Sequence, residues 1–365
     1  AGFTAIQGGL ASAATAVAGG APQPALFGPD PGQARLNRNE NPFGPAPSAR
    51  AAIAETADNG CYYGEAANAR LIALIAERHG VTPANVVIGN GSTEVLSAAA
   101  LTWGRKGAIV APGLFWDFTV NYGERQGAKV IRIPLAADMG VDLAAMQAAA
   151  STPGVAMVHI CNPNNPTAML ADPASLRALA AAVTPHATLL VDEAYNELTD
   201  RPDANTLVDL VKAGHDIIVC RTFSKIYGMA GMRVGYAITT ERNAALLRGS
   251  VMGFIGNVSG LAAAIASYND TAFLTRSKAA IVEARAMILD AVKQAGLRAL
   301  PSQANFVFVE VPDADAVQKA MAARGIEIRP AYGPWKRWSR VSTGRIEDVK
   351  RYAAALPQVI GAMKA

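Results

Sequence analysis

The chain has 365 residues, 51% of them hydrophobic, 17% charged and 6% aromatic, with a formal net charge of +4. That balance excludes a disordered chain and suggests about two globular domains. The 33 Lys and Arg against 29 Asp and Glu show no run of five like charges, so nothing favours nucleic acid as a partner. Three cysteines (Cys61, Cys161, Cys220) and four scattered histidines (His79, His159, His186, His215) form neither a disulfide framework nor a metal-ligand spacing.

In chain order, the opening stretch through Ala18 is small, apolar and uncharged, ends in Ala16-Val17-Ala18, and no charge precedes Asp30. Such a composition resembles the apolar region and cleavage site of an export leader of the twin-arginine type, with its cationic start upstream. Residues 1–30 are therefore expected to be a leader, and the protein periplasmic or exported. The alternative is an Ala-rich arm packing on a partner subunit of a cytoplasmic protein. The run is too weakly hydrophobic to cross a membrane, and no later stretch qualifies.

Residues 35–47, rich in Asn and Pro, predict an irregular arm. Leu71, Ile72, Leu74 and Ile75 then mark one face of a helix ending at Gly80. Strands are expected at Val86-Val87-Ile88, Ala108–Val110, Val130–Ile133, Val155–Ile160, Thr188–Val191, Ile217–Cys220 and Val234–Ile238. Helices fit between most of them; one opens at Ser92, and another runs over Pro173–Val183, capped by Asp172. This alternation predicts an α/β fold whose mostly parallel central sheet is covered by helices, with catalytic loops at the carboxyl ends of the strands. After about residue 250 the pattern changes to a long helix (Thr271–Ala295), separated strands (Asn305–Glu310, Glu327–Arg329, Ser339–Ser342) and helices at Ala314–Arg324 and Glu347–Leu356. The expected division is a large domain over 46–250 and a smaller α+β domain from 31–45 plus 251–365.

The chemistry-bearing residues gather at the strand ends. Gly89-Asn90-Gly91-Ser92-Thr93-Glu94 leads from a strand into a helix, where free N–H groups and the helix dipole suit a phosphate; a plain capping turn gives the same pattern. Asn162-Pro163-Asn164-Asn165-Pro166-Thr167 can hold an Asn amide rigidly in a crevice, or can simply turn. Val191-Asp192-Glu193-Ala194-Tyr195 places a carboxylate at the end of a buried strand, able to hold a cationic ring nitrogen or merely to cap a helix. Arg221-Thr222-Phe223-Ser224-Lys225, followed by Arg233, joins two hydroxyls and a guanidinium suited to a phosphate dianion with a lysine available for Schiff-base formation. Together they specify pyridoxal 5'-phosphate, which needs a Lys, an acid for its ring nitrogen, donors for its ring hydroxyl and an anion cradle.

The ordered series NENPFGP (39–45), YYGE (62–65), GNGSTE (89–94), NNPT (164–167), VDEAY (191–195), TFSK (222–225) and GMRVGY (231–236) resembles the fold-type I aminotransferases, and within them is most similar to the histidinol-phosphate aminotransferase group. The match spans roughly residues 35–350. The resemblance implies that Lys225 forms the Schiff base and shuttles the proton, that Asp192 keeps the ring nitrogen protonated, and that Asn165 and Tyr195 bond the ring hydroxyl. It further implies that Phe115 stacks on the ring and that Gly91, Ser92, Thr93, Thr222, Ser224 and Arg233 hold the phosphate. Tyr63 would reach the phosphate from the neighbouring subunit, which implies a homodimer. Arg340 would bind the substrate carboxylate, Arg329 would face its distal group, and Asn41 would also meet the substrate. Two positions depart from the family: Ala168 replaces the usual Gly after NPT, and Gly113 replaces a common Pro or Thr.

The implied reaction moves an amino group from an L-amino acid, or a histidinol-phosphate-like amine, to a 2-oxo acid. A leader is unexpected for histidine biosynthesis, so another donor, aromatic or cationic, is an alternative. A decarboxylase, racemase or oxidase on the same fold shares these residues, and a non-catalytic exported binding protein is a rival that the intact Lys225 opposes. An NAD-linked enzyme is disfavoured, because no G-x-G-x-x-G follows a strand.

Overall fold

The computed structural model describes residues 25–253 and 255–364; the stretch read as a leader lies outside the described residues except for 25–30. The arm holds a two-residue strand, Ala34–Arg35 (β1), and stays irregular until helix Pro47–Thr56. Seven strands follow: Val86–Asn90 (β2), Ala108–Pro112 (β3), Val130–Ile133 (β4), Val155–Cys161 (β5), Thr188–Asp192 (β6), Ile217–Thr222 (β7) and Val234–Thr239 (β8). They form one sheet in the order β2-β8-β7-β6-β5-β3-β4. Neighbours pair in parallel from β7 through β4, whereas β8 runs antiparallel to both β2 and β7. The exception has a local cause: the chain passes from β7 to β8 through the short segment 223–233, without the crossover helix that a parallel neighbour requires.

The helices obey their sequence signals. Helix Glu65–His79 stops at Gly80, which takes the left-handed conformation (φ 62°) and returns its N–H to the carbonyls of Ala76 and Glu77. Helix Pro173–Val183 opens with Asp172 accepting from the Ser175 N–H at 2.9 Å. Helix Ile346–Lys364 runs past its expected end at Leu356 and through Pro357, because Val359 and Ile360 are buried against the C-terminal core.

That second core surrounds strands Arg298–Ala299 (β9), Phe306–Glu310 (β10), Ile326–Glu327 (β11) and Trp338–Ser342 (β12). The antiparallel sheet has the order β12-β10-β9, and β1 pairs in parallel with β11. The sequence pattern changes near residue 250, but the change of core falls inside the long helix Thr271–Gln294. Phe273 and Ile281 belong to the core of the large sheet, whereas Ala284, Ile288, Ala291 and Val292 belong to the second. A third apolar cluster, Leu114, Met139, Leu300, Phe308 and Trp338, joins residues from both sides at the edge of the cleft.

Register explains how distant motifs meet. Cys161 pairs with Asp192, and Asp192 with Cys220, so the carboxyl ends of β5, β6 and β7 are adjacent. Asn90, at the end of β2, pairs with Val234 at the start of the antiparallel β8, which brings the Gly91 turn and Arg233 to the same edge.

Candidate active site

These strand ends open onto a cleft of about 970 Å³. Its opposite wall comes from residues 37–40 of the arm, residues 113–118, and the segment from Arg329 to Arg340.

Lys225 follows β7 and is half-buried, its Nζ donating to the Asn39 carbonyl at 3.1 Å. Burial and the nearby Arg340 guanidinium pull its amine down to about 8, against the opposing pull of Asp192 and Glu40. Asp192 is buried and forms no ion pair among the described residues; its Oδ1 accepts the Ala194 N–H at 3.2 Å. Burial pushes the carboxyl up to about 6, although Ala194 and Lys225 pull it down. A buried carboxylate in this position has room for a cation.

The Gly91 turn, the hydroxyls and Arg233 form the anion end. Ser92 and Thr93 open helix Ser92–Gly104 and line the cleft, as do Thr222, Ser224 and Arg233. The Thr222 hydroxyl donates to the Ser224 Oγ at 2.9 Å, and Arg233 is fixed by donation to the carbonyls of Ala230 (2.8 Å) and Asn90 (3.3 Å). Two glycines permit this packing. Gly91 has φ 78°, and a Cβ there would collide with the Arg233 guanidinium; a Cβ on Gly235 would collide with the Ser92 backbone nitrogen.

Above the Lys–Asp pair lies a polar relay. Arg340, on β12, donates through Nη1 to the Asn165 Oδ1 at 2.8 Å and through Nη2 to the Asn37 carbonyl at 2.7 Å. Its Nε is buried without a hydrogen-bond partner. Burial lowers its pKa, but a guanidinium stays charged at any physiological pH. Asn165 Nδ2 and Asn39 Nδ2 both donate to the Tyr195 hydroxyl, at 3.4 and 3.2 Å. Burial pushes the Tyr195 phenol up, opposed by Asn39 and Arg340.

Other expected residues fall differently. Phe115 lines the cleft, its ring set edge-on to His159 at 5.1 Å. Burial lowers the His159 imidazole to about 3, so it is a neutral packing group. Arg329 is exposed at the cleft mouth, over the Tyr332 ring at 5.4 Å. Tyr63 is 75% exposed and is not among the residues lining this chain's cleft. Asn41 is corrected: instead of facing the substrate it is buried behind Lys225, where its Nδ2 reaches the carbonyls of Lys225 (3.0 Å) and Ile226 (2.9 Å) and the Ser277 hydroxyl (2.8 Å). The residues of this motif that line the cleft are Asn39 and Glu40, just before it. The left-handed backbone of Asn39 (φ 55°) turns its carbonyl to Lys225 and its amide to Tyr195, a conformation Asn tolerates better than most residues.

Residues 31–356 match the family model described as aminotransferase class I and II. The chain belongs to that family. It is 36% identical over 91% of its length to histidinol-phosphate aminotransferase 2 of Ralstonia nicotianae (90% of the relative covered), and 34% identical over 90% to histidinol-phosphate aminotransferase of Brevibacillus brevis (91% covered). Among solved structures it resembles histidinol-phosphate aminotransferase from Sinorhizobium meliloti in complex with pyridoxal-5'-phosphate (31% identity, TM-score 0.83, 90% of this chain and 91% of that one). Aspartate aminotransferase from Thermus thermophilus shares the fold at 19% identity (TM-score 0.77, covering 90% and 91%). The enzyme is a pyridoxal-phosphate-dependent transaminase of fold type I.

The site of this aminotransferase fits that cofactor on its own chemistry. The Gly91–Thr93 turn, Thr222, Ser224 and Arg233 make a cradle for a phosphate dianion. Asp192 lacks a cation that a protonated ring nitrogen would supply, and Lys225 is an amine with a depressed pKa within the same cleft. Among the described residues no His/Cys/Asp/Glu group could hold a metal, and no helix is long and apolar enough to cross a membrane.

Proposed function

We propose that this aminotransferase takes amine donors with an anionic group beside the amine-bearing carbon, histidinol phosphate or an L-amino acid, and passes the amino group to a 2-oxo acid. Arg340 carries this reading. It is a buried cation on the cleft wall, held by Asn165 and Asn37, with Nε still unpartnered. A carboxylate or phosphate ester would satisfy it with charge-assisted bonds. The relatives named histidinol-phosphate aminotransferases support the phosphate-bearing donor.

When bound, pyridoxal phosphate supplies an aldehyde for the donor's amino group and a ring that draws electrons from the donor carbon. The protein's own work is placement and proton transfer. Asp192 would fix the charge of the ring nitrogen, Asn165 and Tyr195 would hold the ring hydroxyl, and Phe115 would cover the ring face. Neutral Lys225 takes the proton from the donor carbon, and Arg340 orients that carbon through its anionic neighbour. Arg329, at the mouth, meets the far end of the substrate.

Single-turnover spectroscopy on the holoenzyme tests the reading, with histidinol phosphate, glutamate, phenylalanine, histidine and lysine as donors. The visible cofactor band is expected to convert with at least one anionic donor, to yield one equivalent of oxo product, and to convert far more slowly in R340Q. Release of carbon dioxide or peroxide, or an R340Q variant with unchanged rates, overturns it.

The working unit in this reading is a homodimer, with Tyr63 completing the partner's phosphate cradle. Its exposure outside its own cleft supports this. Mixing inactive K225A with weakened Y63F then restores one full site per hybrid dimer, whereas Tyr63 acting within its own chain restores nothing. Export is also part of the reading, supported by the uncharged opening stretch and Ala16-Val17-Ala18, with cell fractionation of the full-length gene product as its test.

A further inference from the structure

The hydrogen bonds around Tyr195 have a direction set by the orientation of the two asparagine amides beside it. The Ser342 Oγ accepts the Asn39 backbone N–H at 2.9 Å, and its own hydroxyl hydrogen goes to the Asn39 Oδ1 at 2.6 Å. An amide whose oxygen is taken by a hydroxyl must present its NH₂ on the other side, and Asn39 Nδ2 reaches the Tyr195 oxygen at 3.2 Å. Arg340 imposes the same polarity on Asn165: a guanidinium only donates, so it claims Oδ1 and turns Nδ2 to Tyr195. The phenol oxygen thus accepts two N–H bonds. Its single hydrogen has neither amide as an acceptor, and Tyr195 lines the cleft.

We propose that Asn39, oriented by Ser342, is a positioning residue that forces Tyr195 to act as a hydrogen-bond donor toward the cofactor's ring oxygen. The inference rests on the reading of Tyr195 as a ring-hydroxyl partner. Asn39 ties that donation to the C-terminal domain, because Ser342 lies on β12 two residues after Arg340, and because Asn305 Nδ2 donates to the Asn39 carbonyl at 3.0 Å. The N–H bond from Asn39 also stabilises negative charge on the phenol oxygen, opposing the effect of its burial. The groups facing Tyr195 are Asn39, Asn165, Lys225 over its ring at 5.5 Å, Arg340, Asp192 and Cys161.

The test titrates the visible band of cofactor-loaded protein against pH and measures cofactor dissociation by dialysis. N39D keeps the size of the side chain but replaces the donating NH₂ with a carboxylate oxygen, which captures the phenol hydrogen. Its titration midpoint is expected to rise by about one pH unit, as in Y195F, because the ring oxygen loses its donor. In a Y195F background the same substitution should add little, since nothing remains to be captured. S342A, which frees the Asn39 amide to turn over, should shift part of the way, and S342T should restore the wild-type midpoint. N39G keeps the left-handed backbone and removes only the amide, so it guards against misfolding; its shift should be smaller than that of N39D. A wild-type midpoint in N39D, or an N39D shift undiminished in Y195F, overturns the proposal. If Y195F itself leaves the midpoint unchanged, the underlying reading of Tyr195 fails instead.

Discussion

The two walls of the cleft are built by different means. The floor comes from the large sheet: Asp192, Asn165, Thr222, Ser224 and Lys225 sit at the ends of strands that register side by side. The facing wall is assembled from segments about 300 residues apart, with Asn37 and Asn39 from the arm meeting Arg340 and Ser342 from β12. The floor draws its precision from backbone pairing, so each chemical group arrives with its strand. On the wall, β12 is paired with β10, but the arm residues Asn37 and Asn39 are placed by hydrogen bonds to Arg340 and Ser342 that join segments far apart in the chain.

This contrast is open to disruption, and the largest effect belongs to the floor. In the proposed reading Lys225→Ala removes the group that would accept the donor-carbon proton, and turnover should fall by roughly 10⁴-fold or more; rapid-quench measurement of product checks it. Next, Arg340→Gln on the wall should lower kcat/KM about 30- to 1000-fold for anionic donors while leaving cofactor affinity nearly intact, which separates substrate orientation from cofactor retention.

Asp192 allows a thermodynamic test. Its folded-state pKa of about 6 lies above the usual 3.8, so the protonated group contributes stability that is present below about pH 4 and is lost as pH rises through 6. The shift corresponds to about 3 kcal/mol. Cofactor-free wild type should therefore lose stability over this window, while Asp192→Asn, which cannot ionise, loses less. Denaturant titrations at pH 4, 5, 6 and 7 would show the two lines diverging; parallel lines would contradict the assignment.

The smallest effect separates a scaffold residue from a substrate contact. Asn41→Ala strips donors from two buried carbonyls and a hydroxyl behind Lys225, and should cost about 2–3 kcal/mol of stability. If Asn41 touched substrate directly, the loss would appear in KM with stability unchanged.

The legibility of the sequence follows the same division. The floor is readable because strand, turn and functional group are contiguous: VDEAY carries both the apolar strand and its terminal acid, and TFSK carries the hydroxyls with the lysine. Arg340 is readable only through resemblance, since an arginine on a short strand has no local signature of substrate binding. Asn39 and Asn41 share one motif, and the sequence alone cannot say which enters the cleft. That choice is made by a left-handed φ at Asn39 and by Ser277, which lies 236 residues from Asn41 and draws it under the loop. The antiparallel β8 escaped for a related reason, because strand direction depends on the path of the 223–233 connection and not on the apolar pattern of the strand.

In the proposed reading, buried Arg340 on β12 orients an anionic donor over Lys225 beside the large sheet. The most direct measurement is the single-turnover rate of the R340Q holoenzyme with histidinol phosphate and with glutamate, compared with wild type. The account predicts that the cofactor band stays intact while conversion slows about 30-fold or more with every donor that wild type converts. Wild-type rates in that variant, with the same product formed, would contradict it.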